Sequence, residues 1–102
     1  MFEKYFSIYG EPKTKIRVRT IWSDGGENNP LSLRTRGYYM EVRVVEIRDA
    51  YDIDSGNGYR ILIQRSNRKS SNAMALVDSK IRDVAKESAE RLAFELGYEL
   101  NK

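Results

Sequence analysis

The chain of 102 residues contains no cysteine and no histidine. Without thiols there is neither a disulfide framework nor a thiolate metal site. Without imidazole the chain lacks the side chain that most often serves as general base or zinc ligand near neutral pH. Serine and tyrosine are present, but no serine has an identifiable base and no carboxylate pair is fixed by spacing. The expectation is therefore a chain with no catalytic residues, no metal and no cofactor. Long apolar runs are also missing, since no stretch approaches the roughly 18 residues of a membrane-spanning helix. Residues 1–10 carry Glu3 and Lys4 in place of a secretory apolar core, so the sequence predicts a cytoplasmic protein that does not engage a membrane.

What is present fits one domain, taken as residues 1–102, because the length is too short for two cores of useful size. The net charge of +3 comes from 18 basic and 15 acidic residues. It is unevenly spread. Residues 49–59 hold Asp49, Asp52 and Asp54 without a base, whereas residues 60–72 hold Arg60, Arg65, Arg68 and Lys69 without an acid.

Period-two patterning predicts strands at 4–9, 15–22, 38–48 and 59–65. In the second, Ile16, Val18, Thr20 and Trp22 share one side, and Lys15, Arg17 and Arg19 share the other with Ile21. The third breaks phase where Val44 and Val45 are both apolar, which calls for a β-bulge. DIDSGNG at 52–58 has the Asp, Ser, Asn and Gly content of a hairpin turn. It does not suit calcium, because the twelfth position falls on Ile63 instead of a bidentate Glu. Residues 23–37 form a long polar connection with a small Leu31 and Leu33 anchor.

From 73 to 96, Val77, Ile81, Val84, Ala85, Ser88, Leu92 and Leu96 recur at steps of three and four, the spacing of one helical face. Ser71 or Asn72 would cap its start and Gly97 its end. The fold class is thus α+β, an antiparallel sheet of about four strands in ββββα order packed on one long C-terminal amphipathic helix.

One helix covers one side of a sheet. The opposite side would display Tyr5, Tyr9, Lys15, Arg17, Arg19, Tyr39, Arg43 and Arg60. Exposed rings stack on unpaired bases and interleaved cations neutralise phosphates, so this surface points to single-stranded nucleic acid or RNA. Arg65, Arg68 and Lys69, in the basic loop before the helix, extend it. On this expectation Arg17 and Arg19 can be reversed in charge with little cost to folding. Ile21, Val45, Ile47 and Leu62 add apolar area to the same side, which gives the alternative reading. In that reading the chain is a protein-interaction or inhibitor module, or a homodimer, working through a sheet edge, the apolar patch or the 23–37 loop.

Overall fold

The computed structural model describes residues 1–26 and 35–101. They form β1 (Glu3–Ile8), β2 (Glu11–Ser23), β3 (Gly37–Arg48), β4 (Tyr51–Arg65) and α1 (Ser71–Glu95). The four strands make one antiparallel sheet in the order β1-β2-β3-β4, a meander in which each strand pairs with its sequence neighbour, with α1 packed on one side. The expected α+β architecture is what the chain adopts. The Leu31 and Leu33 anchor lies outside the described residues.

The alternation sorts side chains as the sequence implies. Ile16 and Val18 of β2, Tyr38, Met40, Val42 and Val44 of β3, and Ile8 of β1 are buried in the core cluster against the helix. The helix contributes Val77, Ile81, Ala85, Ser88, Ala89, Leu92 and Ala93. Val84 and Leu96, expected in the stripe, are each 37% exposed, and Ala89 and Ala93 take the inner positions. Small residues there let the helix approach the sheet closely.

Ser70, one residue before the predicted caps, is the N-cap: its hydroxyl accepts from the Ala73 N–H at 3.1 Å. Tyr38 fixes that cap in space, donating its hydroxyl to the Ser70 carbonyl (2.9 Å) and accepting the Ser70 N–H (3.0 Å). Gly97, at φ 76°, ends the helix, with the Tyr98 N–H donating to Ala93 O. Beyond it Leu100 makes a single antiparallel bridge to Ile8. The Asp78–Arg82 pairing that helical spacing suggests does not form. Asp78 instead turns towards the sheet, accepting from the Thr20 hydroxyl at 2.9 Å and pairing with the Met1 ammonium at 3.3 Å.

The β3–β4 connection departs from expectation. The hairpin turn is Asp49–Ala50, between the Arg48↔Tyr51 pair, with Asp49 at φ 52°, a conformation Asp tolerates better than most residues. Residues 52–58 are not the turn but part of β4. Arg43 pairs with Gly58 and Val45 with Asp54, so Ser55, Gly56 and Asn57 all face Val44 in a wide bulge. Ser55 Oγ donates to the Val44 carbonyl at 2.9 Å and stitches the bulge shut. The irregularity expected at Val44 and Val45 is present, but the extra residues are on β4. Both valines are buried.

Candidate functional site

Neighbouring strands lie about 4.8 Å apart, so β1 and β4 in a flat sheet would be about 14 Å from each other. Yet the Tyr5 hydroxyl of β1 donates to Asp52 of β4. Arg17 of β2 donates to Asp52 (Nη1, 3.3 Å) and to Asp54 (Nη2, 3.1 Å). These contacts require the sheet to curl, with β3 still paired to β2 as far as Thr14↔Glu46, so that the β4 residues of the β3–β4 ribbon beyond the bulge come over the side that faces away from α1. That side therefore has a cover of its own, supplied by the segment whose turn chemistry suggested it would project into solvent.

Under the ribbon lies a charged cluster centred on Glu41, which is 1% exposed. Its carboxylate accepts from Arg17 Nη2 (3.0 Å), Arg19 Nε (2.9 Å) and Arg60 Nε (2.9 Å), and Arg43 Nε lies 3.8 Å away. Strand register brings these groups together. Arg17 pairs with Arg43 and Arg19 with Glu41 across β2–β3, and Glu41 pairs with Arg60 across β3–β4. Burial alone would raise the Glu41 carboxyl, but hydrogen bonds from Arg60 and Arg17 outweigh it and hold the group below the usual carboxylate range. The Tyr5 phenol is pushed up to about 12, first by its hydrogen bond to Asp52 and then by burial and the nearby Glu3 charge.

The predicted site residues accordingly divide. Tyr5, Arg17, Arg19, Arg43 and Arg60 come together, but as members of this cluster and not as an open face: Arg17 is 4% exposed and bound by three carboxylates. The expectation that Arg17 can be reversed without cost to folding does not hold, because a carboxylate there would face Glu41, Asp52 and Asp54. Tyr39 is 2% exposed, with its hydroxyl donated to Thr35 O, and presents no ring for stacking. Lys15 is half-buried and donates to Ser7 Oγ at 3.0 Å. Tyr9 is 73% exposed beyond the end of β1, apart from the cluster. Arg65, Arg68 and Lys69 are exposed at the Gly37 end of the sheet. Arg36 lies beside them, its Nη1 donating to Asn67 O at 3.1 Å.

Sequence reasoning missed Glu41, Asp52 and Asp54. Glu41 carries a signal in retrospect, as an acid between Tyr39 and Arg43 on an otherwise basic and aromatic side. The spacing of Asp52 and Asp54 is also that of one strand face.

The two edges of the sheet differ. β1 is partly closed by the C-terminal tail, with the Tyr9 N–H donating to Glu99 O (2.8 Å) and the Asn101 N–H to Ser7 O (3.0 Å). Among the described residues no strand or bridge pairs with the outer edge of β4. There the half-buried Ile61, Leu62 and Ile63 run consecutively. Ile61 and Ile63, with Met40 and Val84, line a groove of about 230 Å³ between β4 and α1, with Glu87 and Arg91 among its other walls. The described residues contain no cluster of three or more acidic, His or Cys groups arranged to hold a metal. No described helix is long and apolar enough to cross a membrane. No protein-family model, curated protein or solved structure matches the chain.

Proposed function

We propose that this chain is a protein-interaction module that receives an extended segment of its partner on the outer edge of β4. One observation carries the reading: a strand edge that no other described residue pairs with and that is apolar on both of its sides, with Ile61 and Ile63 towards α1 and Leu62 on the reverse. Exposed edges of this composition template pairing with another strand and are ordinarily guarded by charge or proline. Here the nearest charge, Arg60, is turned inward onto Glu41 and does not guard the edge.

The test is capture of partners on immobilised protein after nuclease treatment, with wild type and Leu62→Lys compared at equal folded content by circular dichroism. Loss of capture in the variant supports strand addition at β4. Equal capture by both proteins refutes it.

A second reading rests on Arg36, Arg65, Arg68 and Lys69, which gather at the Gly37 end of the sheet. A nucleic-acid strand held there would bind more tightly as salt falls. Anisotropy with labelled single-stranded and double-stranded oligonucleotides at two salt concentrations tests it, and no binding at the lower one removes it.

A further inference from the structure

The charged cluster leaves arginine donors unused. Arg17, Arg19, Arg43 and Arg60 meet Glu41, Asp52 and Asp54, and the further acid, Glu3, lies beside Tyr5. Arg17 Nε and Arg43 Nε are buried without a hydrogen-bond partner among the described residues. The acids are also unequal: Glu41 belongs to the sheet and is 1% exposed, while the side chains of Asp52 and Asp54 are 25% and 48% exposed. Residues 51–58 of the ribbon are exposed throughout. The bend contains Gly56, at φ 87° in open space; past it β4 is held by its ladder to Val45–Arg48 of β3, and its contacts to the arginines are made by carboxylates in partial contact with water.

We propose that the cationic side of the sheet is a second binding site, taking an extended acidic segment of a partner protein in the place that Asp52 and Asp54 of the ribbon hold in the free chain. The ribbon itself defines the ligand. It is an extended strand with two carboxylates two residues apart on one face, Asp52 reaching both Tyr5 and Arg17, and Asp54 reaching Arg17 with Arg43 at 3.9 Å. A partner segment of acid-x-acid pattern reproduces those contacts, and further acids would meet the arginine donors that the ribbon leaves unpaired. The ribbon acts as a tethered competitor, so apparent affinity falls by the fraction of molecules in which it is lifted. This site is separate from the β4 edge and stands or falls independently of strand addition there.

The experiment uses a labelled, extended Asp-Ile repeat peptide as probe and follows anisotropy. Asp52→Asn combined with Asp54→Asn weakens the tether and is expected to tighten binding at least about tenfold. Asp83→Asn combined with Glu90→Gln changes net charge equally on the exposed helix surface and is expected to leave binding close to wild type. Equal tightening by both pairs, or none by the ribbon pair while it remains folded, overturns the proposal. Preferential tightening of a single-stranded oligonucleotide over the peptide also overturns it, in favour of a nucleic-acid ligand. If the ribbon pair does not fold, the wild type decides. Saturating peptide is expected to release Asp52 and Asp54 to water and to speed hydrogen exchange of the 51–54 amides several-fold, and unchanged exchange refutes displacement of the ribbon.

Discussion

Replacing Glu41 by Gln tests the central electrostatic claim most directly. The substitution keeps shape and one acceptor oxygen but removes the charge that faces Arg17, Arg19 and Arg60 at 2.9–3.0 Å. Deleting one partner of a buried ion pair costs roughly 3 to 5 kcal/mol, because the other charge is left buried and uncompensated. Gln retains some of the hydrogen bonding, which places Glu41→Gln near the lower end, at about 3 kcal/mol. With a urea dependence of about 2 kcal/mol per molar, typical of a domain this small, the unfolding midpoint should fall by about 1.5 M. Asp54→Asn provides the contrast. Its side chain is 48% exposed, and water screens it, so about 1 kcal/mol or less is expected. Raising salt should shrink the Asp54 effect far more than the Glu41 effect, since buried pairs are screened little. The measurement is urea unfolding followed by Trp22 fluorescence and circular dichroism together. A Glu41→Gln midpoint within error of wild type would refute the claim that this cluster holds the ribbon side of the sheet together.

Other outcomes follow from the same structure. Ile81 is fully buried under the sheet, so Ile81→Ala should cost about 2 to 5 kcal/mol in thermal or urea unfolding; a negligible shift would mean the helix stripe is misassigned. Asp52→Asn removes the hydrogen bond that lifts Tyr5, and its phenol titration, read at 295 nm, should drop from about 12 towards about 10. Since the folded state holds the Tyr5 proton more tightly than the unfolded chain, its contribution to stability is complete below about pH 10 and is lost as pH rises towards about 12. At the acid end the sign reverses. Glu41 and Asp78 both titrate below their ordinary values, so their stabilisation is present above about pH 4 and fades as pH falls below it, visible in melting temperature against pH. Gly58→Ala would place a Cβ 2.5 Å from the Val42 carbonyl oxygen and 2.9 Å from Arg43 Cα. It should lower the melting temperature clearly more than Gly56→Ala, whose Cβ meets nothing within 4 Å.

The strands and helix were legible in the sequence because each carries a strong period: Ile16 and Val18 at two, Val77, Ile81, Ala85 and Leu92 at three and four. What local pattern could not convey was the path of β4. DIDSGNG reads as a turn on composition, yet the same glycines and polar residues also suit a bulge, and the choice was settled by Asp49 accepting a positive φ two residues after Ile47. That shift of the hairpin by a few residues lengthens the ribbon enough for the end of β4 to come over the side that faces away from α1. The open basic surface inferred from alternation is thereby converted into a buried ionic cluster. Counting charges on one strand face could not show this, because the neutralising Asp52 and Asp54 arrive from a strand two positions away.

The bend at Ser55–Asn57 divides one pair of strands between two environments. Near Tyr38–Val42, β3 and β4 are clamped by Tyr59, Ile61 and the helix. Past the bend β3 keeps Val44 and Val45 buried and stays paired with β2 as far as Glu46, whereas β4 has only its ladder to β3 and ion pairs that water partly reaches. Native-state hydrogen exchange should resolve this as two tiers, with amides of 51–54 exchanging through local opening well below the global unfolding free energy, and those of 38–42 only through complete unfolding. One pair of strands would thus belong to two cooperative units, joined at three residues.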